Sequence, residues 1–360
     1  MKKTLIALAA LAATSAFAQS SVTLSGSLNY GITTNTAGVH SYGGWKGDRN
    51  HLTFAAVEDL GGGLKLTAAV QTRFNSANSG NNTGYLNSVT GTAADSVFEQ
   101  SSMALDSGFG QLRVGRFTNA VGVAPLHPLE DSGQSTASNQ AANGRHSGQL
   151  QYLSPVVAGF QLFALNAQKS QNRYLGAGTG AGYLSSFDNA TLDVAANRIG
   201  TQRRANLSFT GINYTNGPVY AQFYTITDLQ GQEQTKIGAT YDLGVAKLYA
   251  NQFNQKTNVQ TTATNGLAAH KATELAVTVP YGNFLFTLGR FNANKDLQIG
   301  KTDGSTKTAK TGWGANYSLS KRTTVIYAAS TTSNGVAAAI ANHGGLVTGK
   351  NQFLGLQHTF

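Results

Sequence analysis

The chain has 360 residues, 42 of them glycine and none cysteine, with only 12% charged and a formal net charge of +10. Soluble domains usually carry about 25% charged residues, yet no stretch after the first twenty positions approaches the ~18 consecutive apolar residues of a membrane helix. Composition therefore excludes a helical membrane protein, a disulfide-stapled fold and any cysteine-based metal or redox centre.

Lys2 and Lys3, the apolar run Leu5–Ala13 and the small residues Ala16 and Ala18 read as a secretory signal peptide cut before Gln19. Residues 1–18 are set apart on that ground, and residues 19–360 are expected to form one domain. From Val22 onward the pattern has period two. Val22, Leu24, Leu28, Tyr30 and Ile32 share one face, and Thr23, Ser25, Ser27 and Asn29 the other. The same alternation sets Leu64, Leu66, Ala68 and Val70 against Lys65, Thr67, Gln71 and Arg73. It closes the chain with Leu354, Leu356, His358 and Phe360 on one face.

Seven short connections interrupt the pattern: 59–63, 106–109, 154–155, 215–218, 242–244, 280–282 and 320–322. Their Gly, Asn, Asp and Pro supply the backbone angles of tight reversals. Between them lie eight long Gly/Ser/Thr/Asn-rich segments, near 34–49, 75–94, 116–145, 169–204, 228–234, 256–270, 293–309 and 332–349. Seven and eight connections join sixteen strands. Lipid offers no partner for backbone N–H and C=O groups, so a spanning sheet has to close on itself. The expectation is all-β: a closed antiparallel transmembrane barrel of sixteen strands, short turns at the periplasmic end and long loops at the extracellular one. Tyr30, Phe54, Tyr152, Phe160, Tyr220, Tyr224, Tyr241 and Tyr249 are expected in the interfacial girdles. The segment Asn283–Phe291 is irregular, because Phe284, Phe286 and Leu288 share a face with Arg290; a bulge or an arginine at the membrane interface would account for it.

Removing Lys2 and Lys3 leaves 24 basic and 16 acidic residues. They are scattered singly rather than grouped in a stripe, so the balance points to small anions or acidic lipid head groups and not to nucleic acid. Gly344–Lys350 imitates a phosphate-binding loop, but Asn351 stands where Ser or Thr should hold Mg²⁺ and a strand follows instead of a helix. The seven histidines lack metal-ligand spacing, and no Gly-x-Ser-x-Gly elbow occurs. No cofactor, metal or enzymatic activity is expected.

Three segments carry a family resemblance. Gln19-Ser20-Ser21-Val22-Thr23-Leu24 resembles a mature start, Glu58-Asp59-Leu60-Gly61-Gly62-Gly63-Leu64-Lys65 a first periplasmic turn, and Gly355-Leu356-Gln357-His358-Thr359-Phe360 a closing strand. Together they resemble the sixteen-stranded, trimeric general porins of Gram-negative bacteria, in particular the β-proteobacterial branch. The resemblance implies an outer-membrane homotrimer that passes small hydrophilic solutes and ions by diffusion. It also implies contacts with outer-membrane lipids and lipopolysaccharide, and a terminal Phe360 read by the outer-membrane assembly machinery.

In that family the third long loop folds into the barrel and sets an acidic patch against a ladder of Arg and Lys. Here the loop spans about 117–144, and its Pro128-Leu129-Glu130-Asp131-Ser132-Gly133 resembles the family tip only loosely, with Glu130 and Asp131 as the acidic candidates. On the basic side Gly115-Arg116 and Gly144-Arg145 match family positions. Arg73 and Arg113 have the polar parity of their strands. A further family arginine falls at Asn50-His51, which makes His51 a possible lumen residue. Opposed charges in a narrow lumen bias which ions enter, and with the net positive charge this predicts anion preference. Alternatives are a substrate-specific porin, or an adhesin or receptor role for the long loops.

Overall fold

The computed structural model describes residues 21–34, 38–43, 50–73, 100–118, 145–167, 207–227, 233–256, 270–293, 308–333 and 349–360. The expected signal peptide and most of the expected long loops lie outside them. The strands are β1 (Ser21–Thr34), β2 (His40–Gly43), β3 (His51–Gly61), β4 (Leu64–Arg73), β5 (Gln100–Ser107) and β6 (Gly110–Thr118). They continue with β7 (Arg145–Leu153), β8 (Phe160–Ala167), β9 (Leu207–Asn216), β10 (Val219–Thr227), β11 (Glu233–Asp242) and β12 (Lys247–Lys256). The last are β13 (His270–Tyr281), β14 (Phe284–Ala293), β15 (Thr308–Ser318), β16 (Thr323–Ser333) and β17 (Gly349–Thr359).

From β3 to β17 every strand pairs antiparallel with its sequence neighbour, and β1 closes the ring. Ser27–Thr34 run against Gln352–Thr359 of β17 on one edge of β1, and Ser21–Ser27 against His51–Val57 of β3 on the other. Sixteen strands thus make the wall. The seventeenth, β2, lies within the segment expected to be the first loop. It pairs with Gly31–Thr34 above the stretch of β1 that β3 occupies, and Thr34 Oγ1 meets His40 Nδ1 at 2.9 Å. At the seam the Gly26 N–H donates to the Phe360 carbonyl at 3.0 Å and the Phe360 N–H to the Gly26 carbonyl at 3.1 Å.

Short turns are built as their residues dictate. Asp59 Oδ1 accepts from the Gly61 N–H at 2.9 Å and Asp242 Oδ1 from the Gly244 N–H at 2.8 Å. Both glycines have φ of +79°, the left-handed region in which a Cβ is strained. Along the strands the apolar set faces out, and Leu162, Ile237, Leu275 and Leu354 are all more than half exposed. Outward apolar side chains are what a lipid-facing wall requires.

Three features follow from the same parity. Tyr220, Tyr224 and Tyr249, expected in the girdles, share the inward face with Gln222 and Asn251. Strand β10 carries apolar residues on both faces, so its pattern alone does not orient it. The registers of β13 with β14 and of β14 with β15 run unbroken through Asn283–Phe291, so that segment has no bulge and Arg290 stands on the outer face. Toward the long-loop end of β8–β10 polarity inverts. Phe163, Leu165, Leu207, Phe209 and Ile226 are buried inside, whereas Asn166, Ser208 and Thr210 are exposed outside.

Gly31 lies at the seam, where an added Cβ would stand 2.2 Å from the Leu354 carbonyl oxygen. Gly31→Val is expected to destabilise closure by about 1–3 kcal/mol, the scale of overpacking, read as a lower urea midpoint in detergent micelles.

Candidate functional site: the inner wall of the barrel

Strand register arranges the inward side chains in rows. Ser27, His51 and Arg73 are direct cross-strand neighbours on β1, β3 and β4. One step toward the short turns, Gln71 Nε2 donates to Thr53 Oγ1 at 2.9 Å, and Gln100 Nε2 donates to Gln71 Oε1. Gln100 Oε1 in turn accepts from the Thr118 N–H at 2.9 Å. The result is a polar amide wall across β3–β6.

Arg113 is half-buried in this wall. Its Nε and Nη2 both donate to Ser102 Oγ, at 3.1 and 2.9 Å, and its guanidinium lies 4.2 Å from the centre of the Phe117 ring. A cation against a ring face is held electrostatically as well as by packing. Register sets Arg113 across from Ala104, and Ala104 across from Thr67. Arg113 is therefore six positions down β4 from Arg73, about 20 Å along the strand at ~3.3 Å per residue. The two positions therefore stand far apart along the wall rather than at one level.

The other expected basic residues fall elsewhere. Arg116 is paired with Ser101 and has the parity of Leu112 and Val114, the outer face. Arg145 opens β7 across from Thr118. The register shift between Gly115 and Phe117 accompanies Gly148, whose φ is +71°. Alternation thus separates Arg116 from Arg113. Glu130 and Asp131 lie outside the described residues. Phe360 sits at the closing seam with its ring against Gly26, and His358 stacks beside it at 6.3 Å.

Across the lumen the structure brings in residues that sequence reasoning passed over. Lys236 on β11, Glu274 on β13 and Lys310 on β15 all face inward and are almost fully buried. Lys236 Nζ lies 5.7 Å from the ring centres of both Tyr224 and Phe253. Asn251, Glu274, Phe291, Lys310 and Thr332 form one continuous row from β12 to β16. The signal for it is the strand alternation itself: Lys236 sits between Gln234 and Gly238 on the inward parity of β11. Beside this row Phe163, Phe209 and Tyr224 pack edge to face at 5.0 and 4.9 Å, with Phe117 in the same cluster. Buried rings hold the wall and offer no free face to a passing solute. Among the described residues no group of three or more His, Asp or Glu could hold a metal ion.

A closed sixteen-strand wall with an apolar outside and a charged, amide-lined inside is a membrane channel, and a family model described as Gram-negative porin matches residues 4–337. The chain belongs to the Gram-negative porin family. Outer membrane porin protein 32 of Delftia acidovorans is 28% identical over 277 residues, covering 69% of this chain and 68% of that one. The major outer membrane protein P.IB of Neisseria meningitidis is 25% identical with both chains fully covered. Among solved structures, the anion-selective porin from Comamonas acidovorans superposes with a TM-score of 0.62 at 20% identity, over 95% of this chain and all of that one. This porin is an outer-membrane protein whose barrel encloses a diffusion channel, as the resemblance of its first turn and last strand implied.

Within this porin the buried aromatic cluster stiffens the wall on which Arg113 and Lys236 are mounted. Phe209→Ala is expected to cost about 3–5 kcal/mol, read as a lower thermal unfolding midpoint in detergent.

Proposed function

We propose that the channel of this porin prefers small anions, and that the preference is set on the inner wall. The carrying observation is the balance of inward charge. Near the short-turn end Lys65 and Lys247 stand among Asp59, Asp106 and Asp242, their register partners. Deeper in the wall the inward charged positions of the described strands are Arg73, Arg113, Lys236 and Lys310, with Glu274 as the acidic exception. Charges at close quarters in a lumen govern entry, and at a screening length of ~8 Å in physiological salt these outweigh charges far out on loops. The same fold carries anion selectivity in the Comamonas acidovorans porin.

Glu130 and Asp131 complete this proposal as the acidic side of the constriction, on the strength of the family resemblance, and His51 as a lumen neighbour of Arg73. The protein acts as a channel and not as an enzyme. It is exported by the signal peptide of residues 1–18, and residues 19–360 are its single barrel domain. Phe360 presents the closing strand to the assembly machinery, and the barrel works as a homotrimer among outer-membrane lipids and lipopolysaccharide.

Reversal potential across a salt gradient in a planar bilayer tests the selectivity, and cation preference of the wild-type channel would overturn it. Arg113→Gln is expected to lower the anion-to-cation permeability ratio about fivefold in dilute salt, the ~1 kcal/mol that one unit charge contributes at about 4 Å in water. The difference between variant and wild type should vanish near 1 M salt, where the screening length falls to ~3 Å.

A further inference from the structure

Among the described residues the inward-facing phenylalanines and Tyr224 are all buried. Two inward rings keep part of their surface open, Tyr220 on β10 and Tyr249 on β12. Register sets both across from Thr240 of β11, so one row of the inner wall reads Tyr220, Thr240, Tyr249. Their strands lie two apart, about 10 Å at ~4.8 Å per strand. Four positions toward the long-loop end the same step carries Tyr224, Lys236 and Phe253. There Lys236 Nζ stands 5.7 Å from both ring centres, and all three residues are buried. Thr240 is too short to rise between its rings and lies buried at 3% exposure. The lower row is therefore the one that offers aromatic surface to the lumen.

Both open rings are fixed. Tyr220 Oη donates to Asn213 Oδ1 at 3.3 Å and accepts from Gln222 Nε2 at 3.1 Å. Tyr249 Oη lies 3.4 Å from Thr278 Oγ1. A phenol held to the sheet at both ends lies along the wall instead of projecting across the lumen. Lys247 opens β12 on the same inward parity, at the short-turn mouth, and its Nζ lies 5.7 Å from the centre of the Tyr249 ring. Its register partner Asp242 accepts the Gly244 N–H on Oδ1 at 2.8 Å. Among the described residues Lys247 forms no ion pair with a carboxylate.

An aromatic surface with a cation at its rim complements a flat ring that carries an anionic group. The ring gains by packing on tyrosine, and a carboxylate gains by facing the ammonium. A sugar needs several free hydrogen-bonding groups, whereas the two tyrosine hydroxyls are already bonded to the wall. A small inorganic anion would use the cation and leave the rings idle.

We infer that Tyr220, Tyr249 and Lys247 form a subsite for aryl carboxylates at the short-turn mouth of the channel. The aryl ring packs on Tyr249, Tyr220 extends the surface, and the carboxylate faces Lys247 Nζ. The site gives the anion preference proposed above a solute class, and it rests on that reading only in taking the lumen as the path of the solute.

The test is block of chloride current through the full-length porin in a planar bilayer. Benzoate is titrated against cyclohexanecarboxylate, which keeps the charge without the flat ring, and against benzamide, which keeps the ring without the charge. Wild type is expected to be blocked saturably by benzoate, half-saturating at least about threefold below either analogue, the scale of one aromatic pair or one exposed charge pair. Tyr249→Leu removes the ring and Lys247→Gln the charge, and each should raise the benzoate value to that of the analogue lacking the same group. Tyr249→Phe keeps the ring and should stay near wild type. Phe223→Leu, on the outer face of β10, is the control and should leave the block unchanged. Should Tyr249→Leu fail to form channels, Lys247→Gln and Lys247→Arg carry the same reading, with the arginine retaining the block.

Equal block by cyclohexanecarboxylate or by benzamide overturns the aryl carboxylate class. Wild-type benzoate block in either Tyr249→Leu or Lys247→Gln overturns the site. A cation-preferring wild-type channel that still shows the benzoate block overturns the anion preference alone. An anion-preferring channel without that block overturns this subsite alone.

Discussion

Closure of the backbone hydrogen-bond ladder is the constraint on which the rest of this porin depends. Each strand in lipid needs both edges satisfied, because an unpaired peptide group has no water to turn to. Fifteen neighbouring pairs meet that demand by simple hairpins and loops, but the last has to join the two ends of the chain. Here β1 divides its length among β17, β3 and β2, and Phe360 and Gly26 exchange two backbone bonds at the point where the chain stops. The small residues at this seam, Gly26 and Gly31, reflect how near the closing strands approach.

Once the wall is closed, side-chain parity decides what each residue can do. Lys236 and Arg113 stand on the inward face, each held against aromatic rings. Arg290 on β14 and Lys310 on the adjacent β15 stand on opposite faces of the wall. The inner wall combines two unlike demands. It carries charge for permeation, and it also buries Phe163, Phe209 and Tyr224, whose edge-to-face packing holds the strands rigidly enough to keep those charges in place. Arg113 joins the two, bonded to Ser102 on one side and laid on Phe117 on the other.

Much of this was legible in the residue order. The alternation at Val22–Ile32, the Asp-Gly turns and the two classes of connection give sixteen strands and their direction. Parity places Arg73 and Arg113 on the polar faces of β4 and β6. It is less informative where both faces of a strand are apolar, as in β10, where Tyr220 and Tyr224 face inward instead of joining the girdles. Family matching of Gly115-Arg116 and Gly144-Arg145 said that arginines flank the third loop, but not on which face of β6 or β7 they stand.

The sequence by itself determined the strand count, the turn chemistry, the membrane setting and the excess of basic charge, because each follows from local periodicity and composition. Only the tertiary structure decided register, and with it which charges are neighbours. That Arg73 is paired with His51, that Arg113 lies some six positions lower, and that Glu274, Lys310 and Phe291 share a row all depend on pairings between strands distant in the chain. Local sequence carries no such information, since sliding one strand by two residues keeps every side chain on its face while changing every neighbour.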